Sequence, residues 1–542
     1  MFRINILYVL IIFFLINIIS LKTNIYIDLS KNKTNTLSKT SKKILDVIDD
    51  DMYFKVFLQG NLNNHFSEMS HQTERILENI NRYNNNIKFQ FINPNSEKTS
   101  LSELENNKLK IIEVQKVKKK KNNKGLKKTS YSKQIAVPGC IIYYKNKTKT
   151  VNFIEDVEIN KYTIAESIKN LEYEILESIK KLSKNKKENI AILTGHNDFI
   201  EKQTSFFKKS IEEKYNIEYF NIKEFTDPNS IDKQIKRLEY YKTIIIAKPI
   251  KSFTDLDKFI IDQYIMRGGK TIWMIDGTND GGLNQSNERL TKYKESNLKL
   301  DKMLSQYGIV LNKDLILDSI CDIIHIGENG ENKIKWPYFP ILTPKKTSTL
   351  GQYKGFIKTK FISSIDTIKS KNKKTIILKT SNSSYRVKAP NYFFTNDYKF
   401  QKKPISCGVL IEGKINSAFK DYSKTEKSEK FEKINEIKNN KIIVISDGDI
   451  IINNYEIDPK SGKVISNINY GNQDFIENCI EYMCDDLNLI DLKNKILKIN
   501  YINNEKIVNK RKIQLTATII PIIIIIFIGY MINILRLKRN EK

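Results

Sequence analysis

Hydrophobic positions between Tyr241 and Asp280 switch regime twice. Thr243 to Ala247 is a short, β-branched apolar run halted by Pro249, the length and content of a buried strand in a parallel sheet. Leu256, Phe259, Ile260, Tyr264 and Ile265 then recur at i, i+3, i+4 spacing. That pattern predicts a helix capped by Ser252 or Thr254 and ended by Gly268-Gly269, because a residue without Cβ accepts a left-handed C-cap. A second apolar run, Thr271 to Ile275, stops at Asp276-Gly277. Strand, helix, Gly-Gly and strand form one βαβ crossover, so the centre of the chain is predicted to be an open α/β sheet.

The same patterns order the rest of the chain. Tyr53 to Leu58 alternates as a strand, Phe66 to Tyr83 has helical periodicity and Ile87 to Ile92 alternates strictly. This βαβ unit is expected to form a thioredoxin-like half-domain, although the Cys-x-x-Cys of a redox site is absent. Gln134 to Tyr144 and Thr148 to Phe153 read as a strand pair, and Thr163 to Leu182 as a long amphipathic bridging helix. A second domain opens at Asn189 to Thr194, continues through Glu218 to Ile222, and resumes at Lys441 to Ser446 and the helix Asn472 to Leu487. Gly281 to Ile437 reads as a long irregular insert, with strand-like pieces such as Thr375 to Lys379. The expected organisation is thus a first α/β domain over residues 22–185 and a second over 186–505 carrying the insert 281–437.

Both ends are apolar. Residues 4–21 follow a single Arg3, and residues 513–535 are trailed by Arg536, Lys538, Arg539 and Lys542. Each approaches the ~20 residues that cross a hydrocarbon core. No A-x-A precedes Lys22, which favours an uncleaved anchor over a signal peptide. Pro521 is tolerable in lipid where a neighbouring helix satisfies the carbonyl it frees. Two spans put both termini on one side, and the cationic tail assigns that side to the cytoplasm.

The net charge of +29 raises nucleic acid or an anionic membrane surface as partner. The lysines are spread along an Ile-, Asn- and Lys-rich chain and no nucleic-acid-binding pattern is present, so diffuse charge is the preferred reading and no nucleic-acid partner is expected. Lys116 to Lys128 reads as a solvated basic loop or a contact for phospholipid head groups. The five cysteines form no metal-ligand spacing, and Cys479 and Cys484 read as small core residues.

In an open parallel sheet ligands bind at the carboxyl ends of strands, where the strand order reverses. Three such ends carry small or acidic residues: Gly195, His196 and Asp198; Asp276; and Asp447 with Asp449. These either gather a divalent cation or a polyol, or cap helices and close turns, which Asp, Asn and Gly do by default. No catalytic residue, cofactor site or metal site is assigned. No G-x-S-x-G elbow, H-E-x-x-H or phosphate-binding G-x-x-x-x-G-K-[ST] occurs, so neither a hydrolase nucleophile nor an ATPase site is expected.

Several stretches together resemble the gliding-motility-associated ABC transporter auxiliary (substrate-binding) family GldG of Bacteroidetes-type bacteria. They include DLSKNKTNTLSKTSKKIL at Asp28 to Leu45, VPGCIIYYKNK at Val137 to Lys147, LEYEILESIKKL at Leu171 to Leu182, IAILTGHND at Ile190 to Asp198, the Ile244 to Gly277 stretch, and CGVLIEGKINSAFK at Cys407 to Lys420. The resemblance implies an inner-membrane protein with a periplasmic body. It also implies a class I glutamine-amidotransferase-like second domain without the catalytic cysteine, and two partners, a multispanning permease and a separate cytoplasmic ATPase. The expected function is a non-catalytic auxiliary subunit engaging permease and envelope cargo. The alternatives are a degenerate hydrolase-like enzyme acting on envelope glycans or peptides, and a pure envelope scaffold.

Overall fold

A computed structural model describes residues 36–60, 62–96, 101–121, 127–154, 159–183, 187–224, 231–279, 292–326, 332–343, 350, 355–393, 400, 403–420, 432–452, 455–457, 464–466, 470–485, 489, 492 and 510–540. The apolar segment 4–21 lies outside them.

Helix α1 (Lys39–Leu45) starts where the Ser38 side chain accepts from the backbone N–H of Ser41. Strand β1 (Met52–Val56), α2 (Asn64–Tyr83) and β2 (Ile87–Phe91) follow, and β1 pairs parallel with β2 from Met52↔Ile87 to Val56↔Phe91. Within the basic stretch Lys116 to Lys128 the described residues are strand, not loop: they belong to β3 (Ile112–Lys121) and β4 (Lys127–Ala136), which pair antiparallel with Ile112 opposite Ala136 and Lys121 opposite Lys127. Strands β5 (Gly139–Tyr144) and β6 (Lys147–Asn152) complete a four-stranded sheet of order β2-β1-β5-β6, in which β5 runs antiparallel to both neighbours. Helix α3 (Lys161–Ser183) buries Ile164, Ile168, Leu171, Ile175, Ile179 and Leu182 against this domain, as its 3.6-residue period dictates.

The second domain is built on seven strands. They are β7 (Asn189–Thr194), β8 (Asn216–Asn221), β9 (Thr243–Ala247), β10 (Lys270–Met274), β11 (Lys373–Lys379), β12 (Ser406–Asn416) and β13 (Glu436–Ile445), in the order β11-β12-β13-β10-β9-β7-β8. The five from β13 to β8 are mutually parallel, whereas β12 pairs antiparallel with β13 and β11 antiparallel with β12. The sheet is therefore mixed at one edge rather than wholly parallel. Alternation of side chains divides its core in two. Ile190, Ile192, Ile245 and Ile272 pack with α4 (Ile200–Ile211) and α7 (Asn472–Cys484). Ala191, Leu193, Ile244 and Trp273 pack with α5 (Ile231–Leu238) and α6 (Asp255–Met266).

Residues 281–437 are not an irregular insert. They supply β11 and β12 to the central sheet, together with an outer set of strands in which Asp314–Asp318 pairs with Ser384–Lys388 and Cys321–Ile326 with Asn332–Leu342. Tyr293, Leu315, Trp336, Tyr338 and Phe393 give this part its own core.

The two domains are fastened side chain to side chain. The Tyr173 hydroxyl of α3 donates to Glu481 of α7, and Lys180 Nζ lies 2.8 Å from Asp485 Oδ1. Beyond α7 the chain returns to the first domain, where Leu489 and Leu492 join its core. It ends in α8 (Lys510–Asn540), whose stretch Gln514–Ile534 is apolar, long enough to cross a membrane and wholly unburied. Among the described residues this is the one helix of that kind.

Candidate functional site

The order β8-β7-β9-β10-β13 reverses between β7 and β9, so the crevice between the carboxyl ends of those strands is the topological switch point. Gly195 ends β7 with φ of +102°, a left-handed conformation that a Cβ would strain, and an added Cβ would lie 2.8 Å from Lys223 Cγ. His196 then turns inward. Its ring stacks on Phe253 at 3.7 Å between centroids, and Nε2 lies 3.2 Å from Asp257 Oδ2. Asp257 also accepts from the Lys223 ammonium and closes a capping box with Thr254 at the start of α6. Burial works against ionising Asp257, but the hydrogen bonds from His196, Lys223 and Thr254 outweigh it and hold the carboxyl well below the usual carboxylate range.

Asn197 ties the two sides of the switch point together. Its Nδ2 donates to the Lys248 carbonyl at 2.9 Å and to Gln203 Oε1 at 3.1 Å. Lys248, the residue after β9, takes a positive φ of 38°, a conformation that non-glycine residues hold only where surrounding structure fixes it. Its Nζ reaches Asp449 Oδ1 at 2.5 Å. Asp276, Asp447 and Asp449 come from the ends of β10 and β13, and each offers a carboxylate oxygen within 4.8 Å of the others. Gly448 lets them approach: its N–H donates to Asp276 Oδ1 at 2.7 Å, and a Cβ there would lie 2.7 Å from Asp276 Oδ2 and 3.0 Å from Lys248 Cα.

Asp447 is buried, and the backbone N–H groups of Lys360 and Asp449 donate to it at 3.1 and 2.8 Å. Burial, followed by the neighbouring charges of Asp449 and Asp276, pushes its carboxyl well above the ordinary range. Residues 358–364 pack over these ends. Ser363 N–H donates to Ser446 O at 3.2 Å, and Ser446 Oγ donates to Cys407 O at 3.0 Å. Three convergent carboxylates are the oxygen set a divalent cation accepts, but the Lys248 ammonium already supplies positive charge on one side.

The six residues expected from the strand ends therefore divide. Asp276, Asp447 and Asp449 meet in one cluster. His196 points away from it into the Asp257 pair, Asp198 pairs on the surface with Lys251 at 2.6 Å, and Gly195 serves the turn. Lys248 and Asn197 were missed. Lys248 follows β9 directly, so the strand-end rule that selected its neighbours would have found it as well. His196, the one histidine at the switch point, has a carboxylate and no nucleophile as its side-chain partner. The thiols of Cys140, Cys407 and Cys479 are buried and pushed far above their ordinary range, and Cys484 to about 12.

A second concavity, about 380 Å³, opens in the first domain at the carboxyl ends of β1 and β2, lined by residues that include Lys55, Phe57, Gln59, Gln90, Asn93 and Glu103. Lys55 and Glu103 form an ion pair within it. Nothing in the sequence pattern pointed there.

Residues 187–479 match a family described as an ABC-type uncharacterized transport system, and residues 31–137 match a domain of unknown function. An uncharacterized protein of Borreliella burgdorferi is 24% identical over 434 residues, covering 74% of this chain and 75% of that one. A solved structure, the mmIFT52 N-terminal domain, superposes with a TM-score of 0.32 at 12% identity over 55% of this chain and 97% of its own.

Proposed function

The chain belongs to the ABC-type uncharacterized transport system family, and from that premise we propose that it is a non-catalytic, membrane-anchored auxiliary subunit that joins a permease and a cytoplasmic ATPase. The observation that carries the anchored reading is α8. Its Gln514–Ile534 stretch has no side chain buried, and in water that much exposed isoleucine would cost far more than a lone helix can recover. At 1.5 Å per residue the stretch is about 31 Å long, close to the hydrocarbon thickness of a bilayer. The apolar segment 4–21 supplies the second anchor. Both termini then lie in the cytoplasm, with the α/β body on the periplasmic side.

The first sheet, β2-β1-β5-β6 with β5 antiparallel, is consistent with a thioredoxin-like domain. The order of β8 to β13 is consistent with a doubly wound, amidotransferase-like second domain. A non-catalytic role is supported by His196, whose partner is Asp257, and by cysteines whose thiols are raised by burial. The switch-point crevice and the groove of the first domain would serve recognition of envelope cargo. The GldG-like stretches suggest the gliding-associated branch of the family.

Affinity purification of the full chain from membranes in mild detergent, followed by mass spectrometry, tests the proposal. A multispanning permease and an ATPase are expected among the recovered proteins. Recovery of neither, from membranes that retain the chain, would overturn it.

A further inference from the structure

Strand β1 has two faces with different surroundings. Met52, Phe54 and Val56 enter the main core of the first domain, together with residues of α2 and α3. Alternation puts Lys55 and Phe57 on the opposite face. There Phe57 joins a smaller core with Leu104, Leu109, Val137 and Ile141. The cavity of about 380 Å³ lies on this second face, lined from the carboxyl ends of β1 and β2 and from the short helix Leu101–Asn106, which carries Glu103. That volume falls within the ~300–1,000 Å³ of small-ligand sites.

The polar groups in the lining are of two kinds. Lys55 and Glu103 form an ion pair, with side chains 26% and 33% exposed, and the Lys55 ammonium stands 5.6 Å from the centre of the Phe57 ring. The pair engages Glu103 Oε1, which leaves Oε2 and the remaining ammonium hydrogens without a partner among the described residues. Gln59 and Gln90 supply amides. Gln90 Oε1 accepts from the Tyr53 hydroxyl, so its NH2 group is still available. The Gln59 side chain is exposed and has no hydrogen-bond partner among the described residues.

This arrangement disfavours a charged ligand. An incoming carboxylate must draw Lys55 away from Glu103, and an incoming ammonium must draw Glu103 away from Lys55. Either leaves half of a partly buried pair unmatched. A neutral ligand keeps the pair and uses the hydrogen-bonding capacity it has left. The best-fitting group is a hydroxyl, which donates and accepts at one atom. Of two neighbouring hydroxyls, one accepts from the Lys55 ammonium while the other donates to Glu103 Oε2. The Gln59 amide offers the same combination of donor and acceptor, and Phe57 gives the C–H face of a ring an apolar wall.

We propose that this cavity binds a neutral carbohydrate, with Lys55 and Glu103 bridging vicinal hydroxyls and the amides of Gln59 and Gln90 holding further ones. The proposal gives the cargo met by the first domain a chemical class, and it rests on the cargo-recognition reading above.

Ligand-observed saturation-transfer NMR on the full chain in lipid nanodiscs tests this, with maltose, cellobiose and N,N′-diacetylchitobiose as neutral probes. Nanodiscs replace glycosidic detergents, whose head groups are themselves competitors. Glucuronic acid and the dipeptide Ala-Ala are the charged probes. At least one neutral probe is expected to bind saturably, and more tightly than either charged one. Gln59→Ala should weaken that binding about fivefold, the effect of one neutral hydrogen bond. Lys55→Met and Glu103→Gln should each weaken it about tenfold, because hydrogen bonds to charged groups are the stronger. Gln59 supports no other side chain, so its variant reports on the ligand even where the pair variants lose stability.

Binding of no neutral probe, or tighter binding of glucuronic acid or Ala-Ala, would overturn the proposal. So would neutral-probe binding that Gln59→Ala and Glu103→Gln leave unchanged, since the sugar then sits elsewhere. Mass spectrometry of the proteins recovered with the same chain separates this from failure of the transporter reading. Permease and ATPase recovered without sugar binding overturn the carbohydrate site alone. Sugar binding that these variants weaken, with neither partner recovered, upholds the site and overturns the subunit reading.

Discussion

Lys248 Nζ lies 2.5 Å from Asp449 Oδ1, joining residues 201 positions apart and bridging the ends of β9 and β13. Asp449 in turn clusters with Asp276 and Asp447, the oxygens of the three lying within 4.8 Å of one another. The switch point is held by charge as well as by the sheet beneath it.

Replacing that ammonium tests the account. Lys248→Met leaves the carboxylates to repel one another and should destabilise the second domain by about 2–4 kcal/mol at pH 7.5 in urea unfolding. Burial and the charges of Asp449 and Asp276 already raise the Asp447 carboxyl in the folded state. A folded-state pKa raised above the unfolded one contributes stability at low pH that is lost as pH rises, so the deficit against wild type should shrink as pH falls towards 5. Millimolar Ca²⁺ or Mg²⁺ should raise the thermal midpoint of Lys248→Met more than that of wild type, since a cation can then take the ammonium's place.

Asp257 has the opposite sign. Its carboxyl is held well below the ordinary range despite burial, by His196, Lys223 and Thr254. The stability it contributes is therefore present above its unfolded pKa and is lost as pH falls through the folded value. Asp257→Asn should cost about 2–3 kcal/mol at pH 7, and wild type and variant should converge in strong acid, read by chemical denaturation across the pH range. Thr254→Ala, which removes only the cap, should cost about 1 kcal/mol.

The junction between domains depends on a buried carboxylate. Asp485 is 2% exposed and Lys180 is its cationic partner. Lys180→Met should lower stability by about 3 kcal/mol, because it removes the cation facing that buried charge. Adding Asp485→Asn should recover part of the loss, which a double-mutant cycle measures directly.

Gly277, directly after Asp276, has room for no side chain. A Cβ there would lie 2.2 Å from the Asn312 carbonyl and 2.5 Å from Ser363 Oγ. Gly277→Ala should cost about 2–3 kcal/mol by overpacking. Gly268 is the contrast: a Cβ meets nothing within 4 Å, but φ of +99° strains any L side chain. Gly268→Ala should cost about 1 kcal/mol, and thermal unfolding of the two variants separates steric from conformational cost.

What the sequence determined by itself was local. The 3.6-residue spacing of Leu256 to Ile265 and the runs at Thr243 and Thr271 were enough for β9, α6 and β10, because helix and strand periods are written in neighbouring side chains. The apolar stretch of α8 was equally plain. Strand β12 was not legible. Its apolar alternation is interrupted by Gly408 and Gly413, and it becomes a strand by pairing antiparallel with β13, from which it is separated by residues 417–435. Nor could spacing say that His196 would turn inward to Asp257 while Asp276 and Asp447 met across two strands. Those choices belong to the tertiary structure, because strand order and the burial of charge are decided by contacts between residues far apart in the chain. Leu489 packing on the first domain is the same effect, and it puts Leu489 and Leu37 on one core.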